Sequence, residues 1–186
     1  MRKLKLQFQI SLDGFIAGPN SEMDWLTMNW GEDIMNFIAS ITNPVETILL
    51  GRKLAEGFIP AWRSRAENPE TAPGSEKINS TPKIVFSNTL EHIDDPNTTV
   101  NNGDLVEEVK ALKNGDGGDM IVYGGAEFAS MLIKNNLIDD YYLFVNPVAL
   151  GKGLSIFGSL DSKLNLKLIE AKSFDCGIVL MHYQPA

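Results

Sequence analysis

Near the start of the chain Leu4, Leu6, Phe8 and Ile10 occupy every second position, with Lys3, Lys5, Gln7 and Gln9 between them. A period of two predicts a strand with one apolar and one polar face. Ser11-Leu12-Asp13-Gly14 then turns the chain. From about Gly31 the period changes. Ile34, Phe37, Ile38 and Ile41 are spaced as the stripe of an amphipathic helix, and Asn43-Pro44 ends it, because proline disfavours a helical residue before it. Thr47-Ile48-Leu49-Leu50 predicts a short strand, and Gly51-Arg52-Lys53-Leu54 opens the next helix. The polar stretch 63–82, with Pro69 and Pro73, predicts a surface excursion or a short helix between loops. Lys83-Ile84-Val85-Phe86 reads as a strand, followed by a helix marked by Leu105, Val109 and Leu112 and stopped at 114–118. Met120-Ile121-Val122-Tyr123 reads as another strand, and Phe128, Met131 and Leu132 mark the inner side of the helix after it. Three strands are expected at 141–150, 164–171 and 178–183, the last two joined at Asp175-Cys176-Gly177.

Strands alternating with helices favour parallel βαβ connections, and the closing run of strands adds antiparallel pairs. The expected fold is a three-layer α/β domain with a mixed, mainly parallel sheet. No repeat or long linker divides the 186 residues, so one domain spanning 1–186 is expected.

Composition narrows the function. A net charge of −8 argues against nucleic acid or an anionic membrane as the main partner, since phosphate backbones are met by clustered Lys and Arg. Cys176 is the single cysteine, with His92 and His182 the only histidines. An intrachain disulfide is therefore impossible, and no metal site is expected. The alternating N-terminus lacks the continuous apolar run of a signal peptide or membrane span, which makes the cytoplasm the expected location.

Chemistry is expected where strands turn into helices. At Gly51-Arg52-Lys53 two cations at a helix start oppose the macrodipole, unless an anion is bound there. Gly124-Gly125 follows a strand and lets backbone approach a pyrophosphate closely. Ser87 and Asn88 follow a third strand. In a parallel sheet these ends share one edge, where ligands bind. Taken singly, each turn has a bland explanation; together they form the contact set of a phosphorylated dinucleotide. Acid–base candidates are Asp13, Asp24, Glu32 and Asp33. Helical phase turns Asp33 roughly 90° from the centre of the apolar stripe and Glu32 nearly opposite to it, so Asp33 is preferred. Acids in a first helical turn also simply complement the dipole. Trp30 and Phe37 are candidate walls of a substrate pocket, and Lys152 in Gly151-Lys152-Gly153 is a candidate phosphate contact.

Four segments, in order and covering nearly the whole chain, carry a resemblance. They are Ser11-Leu12-Asp13-Gly14-Phe15-Ile16-Ala17, Leu49-Leu50-Gly51-Arg52-Lys53, Ile121-Val122-Tyr123-Gly124-Gly125-Ala126 and Gly151-Lys152-Gly153-Leu154-Ser155-Ile156-Phe157. The chain resembles the dihydrofolate reductase superfamily. Within it the nearest likeness is to the C-terminal reductase domain of the bacterial riboflavin-biosynthesis deaminase-reductase and its stand-alone relatives. The resemblance implies NADPH as cofactor and hydride transfer to an aminopyrimidine or pteridine-like small molecule. It places Arg52 and Lys53 at the 2′-phosphate or pyrophosphate and Ser87 and Asn88 near the adenosine end. Gly124, Gly125 and Ala126 would cradle the pyrophosphate, and Ile16 and Ala17 would flank the nicotinamide. Proton donation falls to Glu32 or Asp33, through a buried carboxyl of raised pKa, and a homodimer is expected. Leu54 stands where dihydrofolate reductases carry Thr, no deaminase segment is attached, and Ser80-Thr81-Pro82-Lys83 replaces the riboflavin enzyme's Arg-rich segment. A folate or other pterin reductase and a non-catalytic nucleotide-binding module are the alternatives.

Overall fold

The computed structural model describes residues 1–68 and 74–186. Pro69 and Pro73, on which part of the excursion at 63–82 was read, lie outside the described residues. The elements run β1 (Leu4–Ile10), α1 (Glu32–Thr42), β2 (Val45–Gly51), α2 (Arg52–Glu67), α3 (Ser75–Ser80), β3 (Lys83–Phe86), β4 (Thr98–Asn101), α4 (Leu105–Asn114), β5 (Asp119–Val122), α5 (Ala126–Lys134), β6 (Asp140–Val145), β7 (Leu166–Ser173) and β8 (Val179–Pro185). The strands form one sheet in the order β4-β3-β2-β5-β1-β6-β8-β7. The first six in that order are parallel, while β8 pairs antiparallel with β6 and β7.

The period-two pattern of β1 decides the layering. Leu4, Leu6, Phe8 and Ile10 join one core with Val109 of α4 and Phe128, Ala129, Leu132 and Ile133 of α5. On the opposite face the helices divide. Ile34 and Ile41 of α1 pack over β6 and β8, against Tyr142, Phe144 and Leu180. Ala55 and Ile59 of α2 pack over Ile48, Leu50, Val85 and Ile121. The result is the three-layer α/β fold with a mainly parallel sheet. Each fully buried aliphatic side chain contributes roughly 1.5–3 kcal/mol relative to exposure.

The elements depart furthest from the pattern at α2, β4 and β6. Helix α2 extends to Glu67 through Pro60, into the polar stretch read as an excursion. Its last turns hold themselves by local contacts, with the Arg65 guanidinium 4.9 Å from the centre of the Trp62 ring. Strand β4 is absent from the sequence reading because Thr98-Thr99-Val100-Asn101, at the sheet edge, has one apolar residue and no alternation. Strand β6 stops at Val145, before Pro147, which has no N–H to give a ladder.

Candidate cofactor and substrate site

Parallel pairing brings the carboxyl ends of β1, β2, β3, β5 and β6 to one edge. Because β2 and β5 are neighbours there, α2 and α5 begin side by side. Neither helix start is capped by a side chain: Gly51 precedes α2, and Gly125, at φ +83°, precedes α5. The glycines let the two starts approach. A Cβ at Gly51 would lie 2.8 Å from Phe128 Cβ, and one at Gly124 would lie 2.9 Å from Leu54 Cδ2. Close helix packing thus favours glycine at Gly51, where the neighbour is a Cβ next to the backbone, while at Gly124 the neighbour is the mobile end of Leu54, which fills the space over the glycine.

Of the two cations, Lys53 crosses this junction and Arg52 turns along its own helix. Lys53 Nζ reaches Glu127 Oε2 at 2.9 Å, with the two side chains 70% and 78% exposed, and so links the first turns of α2 and α5. Arg52 pairs with Glu56 at 2.7 Å along its own helix. Exposed pairs of this kind contribute little, so an arriving phosphate can replace either carboxylate. Ala126 is the first residue of α5. Beyond β3, Ser87 Oγ accepts the Thr89 and Leu90 N–H groups at 3.1 and 2.9 Å. Its turn is fixed further by Asn102 Nδ2 donating to the Ser87 and Leu90 carbonyls, which leaves Asn88 exposed on the turn. The residues present fit an anionic dinucleotide: two uncapped helix starts, two replaceable ion pairs and a polar turn on one edge.

The loop after β1 is strapped to the loop after β6. Ile16 N–H donates to the Leu154 carbonyl and Leu154 N–H to that of Ala17, both at 2.9 Å. Both Ile16 and Ala17 are buried. Asp13 clips the same two loops, accepting Ser11 Oγ–H at 2.6 Å and the N–H groups of Leu150 and Gly151 at 3.0 and 2.7 Å. These donors, Ser11 first, pull its carboxyl down to about 2, and its contacts make Asp13 a clip between the two loops. Lys152 stands exposed on the far loop, and its charge helps hold the Glu22 carboxyl below its ordinary range, after the hydrogen bonds from Asn20 and the backbone.

Helix α1 starts at the same edge, and its acids have different surroundings. Glu32 is exposed. Asp33 Oδ2 accepts the Asp175 N–H at 2.9 Å across the β7–β8 turn, and Oδ1 is buried without a partner. The Asp175 N–H, the leading cause, lowers its pKa against the opposing effect of burial. The expected upward-shifted carboxyl is therefore corrected: an N–H donor aimed at the carboxylate outweighs desolvation. Phe37 packs edge-on to Phe174 and Phe144, at 5.7 and 6.4 Å between ring centres, with Lys172 Nζ 5.2 Å above its ring. Trp30 Nε1–H donates to the Thr27 carbonyl at 2.6 Å. The structure thus gathers Arg52, Lys53, Gly51, Gly124, Gly125 and Ala126 at one junction, while Asp33 and Phe37 engage the β7–β8 turn.

The sequence reading passed over Asn146, which is fully buried at the end of β6. Its Nδ2 donates to Gln9 Oε1 at 2.8 Å, and its Oδ1 accepts the Thr27 N–H at 3.0 Å. It ties the loop before α1 to the floor of the sheet. The available signal was the pair of glutamines on a central strand covered by helices on both faces.

Comparison with known proteins agrees with this geometry. The pattern of the RibD C-terminal domain family matches residues 2–180. Two proteins of Bacillus subtilis (strain 168), both named uncharacterized, are similar along almost their whole length. YyaP is 35% identical over 98% of this chain and 94% of its own, and YwjB is 30% identical over 98% and 97%. Among solved structures, a Shewanella sp. PV-4 protein named for riboflavin biosynthesis superposes with a TM-score of 0.77 at 21% identity, covering 100% of this chain and 99% of that one. The Thermotoga maritima diaminohydroxyphosphoribosylaminopyrimidine deaminase/5-amino-6-(5-phosphoribosylamino)uracil reductase gives 0.71 at 18% identity, over 100% of this chain and 57% of that one. Dihydrofolate reductase of Enterococcus faecalis, solved with NADP(H), gives 0.62 at 16% identity over 98% and 96%. The fold is that of the dihydrofolate reductase superfamily, and the chain belongs to the RibD C-terminal domain family.

Proposed function

We propose that the protein is an NADPH-dependent reductase of the riboflavin-biosynthesis reductase type, delivering a hydride to an aminopyrimidine or pteridine-like ring. Family membership supports reductase-type chemistry. The observation that carries the cofactor assignment is the pair of uncapped helix starts, α2 and α5, side by side, with Lys53 bridging them and Arg52 in the first turn of α2. The N–H groups of both starts and the two cations would hold the phosphates, with Ser87 and Asn88 toward the adenosine end. Bound there, NADPH supplies the hydride. The chain's own part is to position the rings, exclude water and keep the loops in register. The Ile16–Leu154 strap and the Asp13 clip do the last of these, on the side where Ile16 and Ala17 would meet the nicotinamide.

Titration with NADPH while following tryptophan fluorescence tests this reading, and Arg52→Ala sharpens it. The wild type is expected to bind NADPH, and the variant to bind it about tenfold more weakly with NADH affinity little changed, the size of one charge-assisted contact. Absence of any fluorescence response up to millimolar NADPH would overturn the proposal. Equal losses for NADPH and NADH would remove Arg52 from the 2′-phosphate.

A further inference from the structure

Strand β7 differs from the rest of the sheet in how little covers it. It forms one of the two edges, and seven of its eight residues are exposed. The other edge, β4, is only four residues long, and three of them are half-buried. Pairing with β8 shows how the β7 side chains divide. Lys167, Glu170 and Lys172 stand opposite Gln184, His182 and Leu180, on the face that α1 covers further in. Leu166, Leu168, Ala171 and Ser173 stand opposite Pro185, Tyr183, Met181 and Val179 on the other face. Ile169 is the extra residue of a bulge between Leu168 and Glu170. Its insertion keeps one face charged and the other uncharged, where an unbroken alternation would mix them.

The uncharged face is left open. Leu168 and Val179 are 51% and 39% exposed, and Ile169 in the bulge is 44% exposed. The core on that side reaches only Leu166 and Tyr183. Sorted faces on a long edge strand, with the apolar one in water, mark a surface that is covered by something else.

The order of charges says what fits it. Edges that avoid pairing repel a copy of themselves through like charges. Here Glu170 and Lys172 share a face with the small Ala171 between them. Against a second copy, antiparallel about a two-fold axis through Ala171, each Glu170 comes directly opposite the other copy's Lys172. The complementary contact is therefore made twice, and the two Ala171 side chains meet at the axis. Moving the axis to Glu170 would set like charges together. Residues 170–173 keep regular register with β8, so their outward N–H and C=O groups are aligned for a ladder. Lys172 Nζ lies 5.2 and 5.6 Å from the centres of the Phe37 and Phe174 rings, a weak contact at an exposed site that leaves the cation able to turn outward.

We propose that β7 is the contact surface for a second copy of this chain, paired edge to edge about Ala171 so that one sheet runs across the two-fold axis. Leu168 and Ile169 then come beside the β7–β8 turn of the other copy, which covers part of the open apolar surface. The pairing also braces that turn, whose Asp175 N–H is held by Asp33. One pair of strands is narrower than the roughly 800 Å² a side of a stable dimer, so the pair is expected to come apart on dilution.

Sedimentation velocity on the full chain, from about 1 to 500 µM, tests this. Wild type is expected to pass from monomer to dimer across that range. Glu170→Lys sets lysine against lysine and Lys172→Glu sets carboxylate against carboxylate, and each is expected to weaken association about tenfold or more. Mixing the two single variants puts opposite charges at both contacts and is expected to restore the dimer. Thermal melting checks that each variant is folded, and Lys172→Gln takes the place of Lys172→Glu if the latter is not. A wild type that stays monomeric at the highest concentration overturns the proposal. A dimer that the folded single variants leave intact overturns it as well, and so does a mixture that associates no better than either variant alone.

Discussion

Helices α2 and α4 both follow parallel strands at the same edge of the sheet, yet they begin in opposite ways. The start of α4 has what stability favours: Asp104 Oδ1 accepts the Val106 and Glu107 N–H groups, each at 3.0 Å, and Glu107 and Glu108 stand in the first turn. The start of α2 has Gly51 without a capping side chain and Arg52 and Lys53 in the first turn. A missing cap costs about 1 kcal/mol, and cations against the dipole add roughly 0.3–1 kcal/mol. The two starts differ in place. Helix α4 follows the outermost strand, whereas α2 begins beside α5 near the middle of the sheet, and α5 also lacks a side-chain cap. Cations in the first turn set α2 apart from the other helix starts, and the proposed dinucleotide phosphate would offset what they cost.

The hardest way to break this contrast is at Gly51. Its absent Cβ makes room for Phe128, whose ring stacks on Phe86 at 5.5 Å and is itself buried, so the neighbour has little freedom to withdraw. Gly51→Ala is expected to lower the unfolding free energy in urea by about 1–3 kcal/mol, the cost of overpacking. NADPH binding should weaken with it, because the two helix starts must separate. Gly57→Ala is the control: it lies exposed in the same helix with no atom within 4 Å of the added Cβ, and should stabilise by roughly 0.5–1 kcal/mol. An unchanged urea midpoint for Gly51→Ala would show that the close approach of α2 to α5 is not fixed by that glycine.

How far the sequence led depended on whether neighbours in the chain or neighbours in space decide the outcome. The alternation of Leu4, Leu6, Phe8 and Ile10 and the stripe of Ile34, Phe37, Ile38 and Ile41 are local, and both elements formed where the periods placed them. Strand β4 has no such signature and exists because β3 pairs with it. At the site, the sequence marked the glycine and cationic turns but not that Gly51 and Gly124 answer to Phe128 and Leu54, which lie 77 and 70 positions away (128 − 51 and 124 − 54). Helical phase turned Asp33 toward the edge of the apolar stripe correctly. The Asp175 N–H that meets it comes from a turn 142 residues along the chain, and no pattern around Asp33 announces it.

A smaller effect isolates the capped end. Asp104→Ala is expected to cost about 1 kcal/mol in stability while leaving the NADPH titration of the wild type in place, since the Asp104 side chain bonds within the first turn of α4. If NADPH affinity fell together with stability, the separation between the two kinds of helix start would be wrong.

The start of α1 makes a third case, with Gly31 uncapped as in α2 but Glu32 and Asp33 in the first turn in place of cations. Asp33 complements the dipole and accepts from Asp175, so it is expected to act as a positioning residue for the β7–β8 turn. Because its folded pKa lies below the ordinary value of about 3.9, its stabilising contribution is complete above that value and is lost as pH falls through the folded pKa. Asp33→Asn keeps the shape but cannot carry the charge. The melting temperature of the wild type should exceed that of the variant at neutral pH, and the gap should close as the pH is lowered below about 4. Turnover lost at an unchanged melting temperature would assign the acid to proton donation instead. A pH-dependent gap with turnover retained would leave α1 as a helix start built for packing, beside a start built for an anion.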